Sequence, residues 1–466
     1  MFGLMMLLPA IIDLLADNDD WTVFFASSFT TVFFGAVMMV SGWGSQAPLR
    51  VREAFLLVAI IWTAMPLFGS LPFMFSAENT SFTDAYFEAM SGITTTGSTI
   101  IVGLDITAPG ILLWRGILQW MGGIGILVMA ISISPMLQIG GMQLFRMEFT
   151  DNVDGAAPRI AEISASITLI YISLTFLCFL AYLFFGMDLF DAVVHALTTV
   201  ATGGMANHDQ SIGYFNSPAI EYVGVVFMIL ASMPFLLYAQ YMKGNRWALF
   251  RDTQVRWFLS TLLTFIIIMS IYQYNQGNTD LEKIIRFSAF NVTSIMTGTG
   301  YATLDYTLWG VFASVFFFFI MFIGGCAGST SCGIKIFRFQ VIFQNLKVHI
   351  AQMLHPNGVF IPRYNGHKID GKISASVMGF FVVFLFAFGA IALILSLLGL
   401  DDITAISGAA SAIANVGPGL GPIIGPAGNY APLPDAAKWV LSASMLLGRL
   451  EIFTLLVLLT PKFWKY

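Results

Sequence analysis

The segment Thr297-Gly298-Thr299-Gly300-Tyr301 follows an apolar stretch, 284–296, that is too short to cross a membrane. A membrane-spanning helix needs about 20 apolar residues. The same arrangement occurs three more times, because the short apolar stretches 82–93, 189–200 and 402–415 each end in a loop that contains glycine. Those loops are Thr94-Thr95-Thr96-Gly97-Ser98, Thr199-Val200-Ala201-Thr202-Gly203-Gly204 and Ala414-Asn415-Val416-Gly417-Pro418-Gly419.

Long apolar segments surround these four loops. The 466 residues are 57% hydrophobic and only 10% charged, whereas average soluble domains carry about 25% charged residues. This small number of charges cannot cover the surface of a soluble protein. We therefore predict an all-α polytopic membrane protein. The predicted long helices are 22–40, 54–75, 111–134, 163–186, 219–241, 257–274, 308–325, 376–398 and 437–460, with 2–16 as a shorter candidate.

The order of long and short helices indicates four repeats. Each repeat reads as a long helix, a short pore helix, a glycine loop and a second long helix, and the short helices are predicted to start at Ser81, Asp188, Thr279 and Gly399. This predicts four pseudo-symmetric helix–pore-helix–helix units around one pore, preceded by about two extra helices. The predicted division is 1–45 for the extra helices and 46–140, 141–245, 246–350 and 351–466 for the four units.

The charged residues indicate the orientation. Of the 21 Lys and Arg residues, 16 lie in the links between repeats and in the tail, and this side is cytoplasmic by the positive-inside rule. Of the 26 Asp and Glu residues, 18 lie on the opposite side together with the glycine loops. The predicted outer mouth is therefore acidic, which concentrates cations and repels anions.

The glycine loops carry the chemistry that we expect. Backbone at membrane depth needs polar partners other than lipid, and an ion can supply them to the carbonyl groups. The C-terminal end of each short helix adds partial negative charge at the same place, and carbonyl rings of this kind replace the hydration shell of K⁺. A single such loop is more simply the end of a re-entrant helix, but four in register favour ion binding. The predicted filter residues are Thr95, Thr96, Gly97, Ala201, Thr202, Gly203, Thr299, Gly300, Asn415, Val416 and Gly417.

The four loops together resemble the Trk/Ktr/HKT superfamily of potassium transporters. Further similar motifs are Gln119-Trp120-Met121-Gly122-Gly123, Gly140-Gly141-Met142-Gln143-Leu144, Gly324-Gly325-Cys326-Ala327-Gly328-Ser329-Thr330 and Gly448-Arg449-Leu450-Glu451-Ile452-Phe453-Thr454. The resemblance implies a pore-forming subunit for potassium uptake across the bacterial inner membrane. It also implies K⁺, and with it Rb⁺, as the transported ion, no covalently bound cofactor, a homodimer, and a cytosolic nucleotide-binding regulatory subunit of the TrkA type.

Two features below the predicted filter stand out. Arg449 lies in the middle of 437–460, where a charge costs about 2.5–3.5 kcal/mol on insertion scales and is usually functional. The resemblance implies that Arg449 is a pore-facing barrier to cations, and the alternative is a structural pair with Glu451 or a helix end.

The stretch 324–333 interrupts a predicted helix. The resemblance implies that it is an intramembrane gate, and the alternative is a close-packing glycine face. The predicted gate residues are Gly324, Gly325, Gly328, Ser329, Gly333 and Lys335.

Several other residues have a simpler interpretation. We expect Glu88 to support the filter through hydrogen bonds rather than to contact the ion, and His195 to be a packing residue. Asp84, Asp191 and Asp402 are expected to cap the short helices. Cys326 and Cys332 are expected to be free thiols.

Other functional classes fit less well. An intramembrane enzyme would need a catalytic constellation on facing helices, and none occurs at useful spacing, so we predict that the chain is not an enzyme. A transporter for organic solutes would show inverted repeats, whereas these repeats run in one direction. The chain has no basic patch for nucleic acid. The basic link 335–372 is either ordinary positive-inside charge or a docking surface for the regulator. Channel-like flow and transport coupled to H⁺ or Na⁺ both fit the sequence.

Overall fold

The computed structural model describes residues 1–44, 50–132 and 156–465. The predicted unit boundaries at 45/46 and 140/141 and the motif Gly140–Leu144 lie outside the described residues. The boundary at 350/351 falls inside the helix Ile336–Leu354, so we propose moving the division between the third and fourth units into residues 355–370.

The regular secondary structure of the described residues is helical, apart from one small hairpin. Two short helices and one long helix precede the repeats: Phe2–Met5, Leu7–Leu15 and Trp21–Ser41. Residues Arg363–Tyr364 and His367–Lys368 form an antiparallel pair of strands in the link before the fourth unit. Short helices and 3₁₀ turns complete the connections: Leu104–Ile106, Ser211–Phe215, Ala248–Arg251, Tyr306–Trp309, Gly421–Ile424 and Pro461–Lys465.

Each of the four units has an entry helix, a pore helix, a filter loop and an exit helix. The entry helices are Val51–Gly69 with its extension Leu71–Phe75, Ala156–Phe184, Thr253–Asn275 and Gly371–Leu397. The pore helices are Phe82–Ile93, Leu189–Val200, Leu281–Thr297 and Asp402–Ala414. The exit helices are Pro109–Ser132, Pro218–Ala231 with Phe235–Met242, Val311–Ile320 with Ile336–Leu354, and Asp435–Arg449 with Phe453–Leu458.

A side chain caps the N-terminus of every pore helix. Ser81 accepts a hydrogen bond from the backbone N–H of Asp84, and Asp188 accepts one from Phe190. Asp280 and Asp401 do the same in the third and fourth units, one and two residues beyond the predicted starts. Such caps are worth about 1 kcal/mol each. The prediction that Asp84, Asp191 and Asp402 are the capping residues was wrong, because the residue just before each helix makes the bond.

The exit helices differ most from the sequence prediction. Six described helices are long and apolar enough to cross a membrane as continuous spans, but 219–241, 308–325 and 437–460 are not continuous helices. The second exit helix bends by 85° before Phe235, where Pro234 has no backbone N–H to continue the helix. The fourth breaks after Arg449, because Glu451 and Ile452 adopt positive φ angles.

Neighbouring units pack in sequence order. The exit helix of the first unit packs against the second pore helix, and the exit helix of the second unit packs against the third pore helix. The first segment of the fourth exit helix packs against the first pore helix, which closes the circle. Large apolar side chains such as Phe29, Phe386 and Leu393 are exposed on the outside of this bundle, as lipid contact requires.

Candidate ion-conducting site

The four filter loops share one backbone pattern. Each has two residues with positive φ separated by one residue without it, and the second is always glycine. Alternating handedness turns successive peptide groups toward the same side, which glycine allows without steric cost. The residue pairs with positive φ are Thr95 and Gly97, Thr202 and Gly204, Gly298 and Gly300, and Asn415 and Gly417.

This pattern corrects the register of the second loop. The sequence prediction treated Gly203 as the counterpart of Gly97, Gly300 and Gly417, but Gly204 has the matching positive φ. Gly203 is instead equivalent to Thr96, Thr299 and Val416, the residues that lie between the two left-handed positions. Ala201, which was predicted as a filter residue, ends the helical part of the second loop and precedes the pattern.

The same register appears in the contacts between loops. A methyl group added to the second left-handed glycine of any loop would collide with a backbone carbonyl of a neighbouring loop. Four equivalent contacts of this kind close a ring: Gly97 lies against the carbonyl of Gly203, Gly204 against Thr299, Gly300 against Val416, and Gly417 against Thr96. The four loops therefore surround one axis, and the pore helices direct their C-terminal ends toward it.

A buried ion pair supports the first loop from behind. Glu88 and Arg115 are both at least 98% buried, and Arg115 Nε lies 2.7 Å from Glu88 Oε1. Glu88 also accepts hydrogen bonds from the Ile100 N–H and the Thr99 hydroxyl. Arg115 donates to the Ala206 carbonyl, which ties the first loop to the second. Glu88 therefore supports the filter loop, as predicted, and the partner Arg115 was missed.

Single side chains support the second and third loops. Gln119 donates to the Gly203 carbonyl at 2.7 Å and accepts from the Met205 N–H at 3.1 Å. Ser294 donates to the Tyr301 carbonyl at 2.7 Å, and the Tyr301 hydroxyl bonds Thr198 on the second pore helix. These contacts fix the loops through neighbouring units.

The fourth loop is fixed by three donors to one carbonyl. Ser98, Ser411 and Tyr430 all donate to the carbonyl oxygen of Gly417, at 2.8–2.9 Å. The Asn415 amide donates to the Thr96 hydroxyl and to the Met445 carbonyl. The first and fourth loops are thereby joined directly.

An outer cavity of about 80 Å³ lies above the ring and is lined by all four second-position glycines, Gly97, Gly204, Gly300 and Gly417. His208, on its wall, bridges two units because its ring nitrogens lie 2.6 Å from Asp105 and 3.0 Å from Asp191. Asp209 accepts from the Leu104 N–H. Asp209 thus lies on the cavity wall together with Arg115 and His208, and Asp105 and Asp191 adjoin the wall through His208.

The stretch 324–333 lies directly below the ring. Its two ends meet, because Gly324 donates to the Ile334 carbonyl and Ile334 donates to the Phe322 carbonyl. Between them, the Ser331 hydroxyl donates to the Thr297 carbonyl at 2.6 Å, and the Thr330 hydroxyl donates to the Val200 carbonyl at 3.1 Å. These two carbonyls end the third and second pore helices, so the stretch contacts the ring on the side opposite the outer cavity.

The same stretch also satisfies the break in the second exit helix. Cys326 donates to the Ser232 carbonyl and Thr330 to the Ala231 carbonyl, while Phe235 donates to the Gly328 carbonyl. Broken helices at membrane depth persist where other protein groups replace the lost backbone bonds. Cys326 and Cys332 are free thiols, as predicted.

Arg449 joins this layer to the other units. Its Nη1 atom lies 2.7 Å from Cys332 Sγ and 3.3 Å from the Thr330 carbonyl oxygen, and Nη2 lies 3.1 Å from the Gly122 carbonyl oxygen. Arg449 does not pair with Glu451, because Glu451 pairs with Arg338 at 2.7 Å. Arg449 ends a helix segment, where the helix dipole favours a cation.

A second cavity, also of about 80 Å³, opens below the ring. Its wall includes Asn415 of the filter, Cys332 and Lys335 of the gate stretch, and Arg449. Lys335 donates to the Ser331 carbonyl. One residue of the predicted filter, the predicted gate residue Lys335 and the predicted barrier Arg449 therefore line the same cavity.

Sequence reasoning left Gly204 and Gly298 out of the filter residues, and it missed that Glu451 pairs with Arg338. The adjacent glycines of the second loop hid the register, and only a strict alignment of the four loops could reveal it. Among the described residues, no three His, Cys, Asp or Glu side chains form a metal-binding group.

A helical membrane protein whose four re-entrant loops enclose one axis is of the class that moves small ions across a membrane. The family model for TrkH cation transport proteins matches residues 21–466, and the chain belongs to this family. It is 45% identical over 464 residues to the Trk system potassium uptake protein TrkI of Halomonas elongata, with 99% of this chain and 94% of the relative covered. It is 36% identical to the Trk system potassium uptake protein TrkH of Escherichia coli K12, with 100% and 97% covered.

A solved structure has the same fold. The crystal structure of the potassium transporter TrkH from Vibrio parahaemolyticus is similar with a TM-score of 0.92 and 36% sequence identity. The similarity covers 100% of this chain and 97% of the solved one.

Proposed function

We propose that this chain is the pore-forming subunit of a bacterial potassium uptake system in the inner membrane. The closed ring of four glycine–carbonyl contacts carries this proposal, because it requires four loops to enclose a single axis. Relatives whose names describe Trk potassium uptake match nearly the whole chain, which supports K⁺ as the transported ion.

The proposed filter is the backbone of the four loops. Carbonyl oxygens held at fixed positions replace the hydration shell of K⁺ or Rb⁺, while the smaller Na⁺ is coordinated less well. The proposed residues are those of the backbone pattern that were also predicted from sequence, namely Thr95, Thr96, Gly97, Thr202, Gly203, Thr299, Gly300, Asn415, Val416 and Gly417, with Gly204 added; Ala201 is left out because it precedes the pattern.

The proposed gate is the stretch 324–333 together with Lys335. It lies under the ring and rests on the ends of two pore helices, so ions leaving the filter must pass it. Its glycines leave few helical hydrogen bonds to break when it moves. Arg449 anchors this stretch through Thr330 and Cys332, and its charge opposes cations at close range.

The proposed partners lie on the cytoplasmic side and beside the chain. The basic link 335–372 includes the long helix Ile336–Leu354 and the small hairpin, and it offers a surface for a nucleotide-binding regulator of the TrkA type. A second copy of this chain completes the proposed homodimer. The function requires K⁺ in the filter and no covalently bound cofactor.

Ion selectivity tests the proposal. Ser at position 300 would push against the Val416 carbonyl and the Pro418 ring, so Gly300→Ser should raise Na⁺ uptake relative to Rb⁺ uptake in vesicles. Gly399→Ser is the matched control, because Gly399 has a similar positive φ of 89° but open surroundings. An unchanged ratio in Gly300→Ser, at normal expression, would contradict the filter assignment.

A further inference from the structure

The cavity below the filter carries an unusual charge. Among the described residues, the charged side chains on its wall are Lys335, Arg338, Arg449 and Glu451. Three positive charges therefore face one carboxylate, which leaves a formal charge of +2 around about 80 Å³. Arg338 and Arg449 are 99% and 95% buried.

The partners of these cations do not balance the charge. Only Arg338 has a carboxylate partner, Glu451. The ammonium of Lys335 donates to the Ser331 carbonyl, and Arg449 donates to two carbonyls and the Cys332 sulfur. Carbonyl and thiol groups are dipoles, so they solvate a cation without neutralising it.

The hydrogen bonding is also incomplete. The Nε atoms of both Arg338 and Arg449 have no hydrogen-bond partner. Buried charges in proteins are paired or neutralised, because an unpaired charge loses its hydration energy without replacement. A mobile counter-ion would supply the missing charge.

We propose that this cavity binds a small monovalent anion, with chloride as the representative species. The carbonyl ring above the cavity repels anions, so the ion enters from the cytoplasmic side. Lys335 is only half-buried and provides the first contact, while Arg449 and Arg338 provide the attracting field. A bound anion lowers the local positive potential, and with it the barrier that this layer presents to K⁺. Anion binding itself does not depend on which cation the protein transports.

Thermal unfolding tests this site. The purified full-length protein is heated in potassium chloride and in potassium gluconate at equal K⁺ concentration and ionic strength, because gluconate is too large for the cavity. Chloride should raise the Tm in a saturable manner. No difference between the two salts, or a rise that never saturates, would overturn the proposal.

Two variants should shift the half-saturating chloride concentration in opposite directions. Lys335→Met removes one cation and should raise that concentration about tenfold, whereas Glu451→Gln removes the one carboxylate that the described residues contribute to the wall and should lower it severalfold. Lys372→Met, an exposed lysine at the start of the fourth entry helix, should leave it unchanged. Equal responses in Lys335→Met, Glu451→Gln and the native protein would show that chloride acts elsewhere. If Lys335→Met does not fold, the Glu451→Gln shift alone decides.

Discussion

The filter ring and the layer below it interrupt the same helical bundle in different ways. In the ring, all four units break at one depth with one backbone pattern, and each loop is supported by buried side chains such as Glu88, Gln119 and Tyr430. In the lower layer the first exit helix, Pro109–Ser132, is continuous, while the other three break at different residues. The ring is thus symmetric and heavily constrained, and the lower layer is asymmetric.

This difference indicates a division of roles. Discrimination between ions of similar size needs fixed oxygen positions, which the ring provides. Opening and closing needs an element with alternative conformations. The stretch 324–333 is held by hydrogen bonds to the ends of other helices rather than by helical hydrogen bonds within the stretch. The predictions below test whether ion discrimination and gating are divided between the ring and the lower layer.

The largest effect is expected in the second filter loop. Gly204→Ala would place a methyl group against the backbone of Thr299 and Gly300, whereas the same change at Gly203 meets the Gln119 amide, a side chain that can shift although it then loses its bond to the Gly203 carbonyl. Left-handed strain of about 1–3 kcal/mol adds to the collision. Rb⁺ uptake should therefore fall about tenfold or more in Gly204→Ala and much less in Gly203→Ala. A larger loss of Rb⁺ uptake in Gly203→Ala than in Gly204→Ala would support the register predicted from sequence, in which Gly203 is the counterpart of Gly97.

Much of the ring was predictable from sequence. Two of the pore helices, Phe82–Ile93 and Leu189–Val200, begin and end where the apolar pattern places them. The register of the second loop was not predictable from sequence, because Gly203 and Gly204 are adjacent and only backbone handedness distinguishes them. Local pattern suffices for a helix end but not for a contact between loops.

The lower layer was less predictable for a physical reason. Apolar residues continue through the breaks in 219–241 and 437–460, so hydropathy indicates unbroken helices. The breaks depend on long-range bonds, such as Cys326 to Ser232 and Arg338 to Glu451. Pro234 was the one local signal, and Ile452, a β-branched residue with positive φ, gave none.

The second-largest effect is expected in the gate. Deleting 327–331 removes the contacts with Val200 and Thr297 under the ring, so Rb⁺ flux should rise several-fold. Deletion of the exposed turn 243–247, which lies outside the proposed docking surface, is the control of equal length. Lower flux at unchanged protein level would mean that the stretch is a packing element.

A smaller increase is expected from Arg449→Ala. The change removes a cation from the lower cavity and releases Thr330 and Cys332, so Rb⁺ flux should rise about threefold, which corresponds to a barrier lowered by about 0.7 kcal/mol. The rise should be clearest without the regulator. Arg246→Ala, a change at an exposed residue, should have no effect. Lost flux at normal expression would identify Arg449 as an essential counter-charge instead.

The positions of bound ions would show whether the four loops coordinate a dehydrated cation. Crystals of the native protein grown with Tl⁺, which scatters anomalously and resembles K⁺ in size, would show where a dehydrated cation rests. We expect anomalous peaks on the axis enclosed by Gly97, Gly204, Gly300 and Gly417, which all line the outer cavity. Well-ordered Tl⁺ peaks elsewhere in the protein, with none between the four loops, would contradict it.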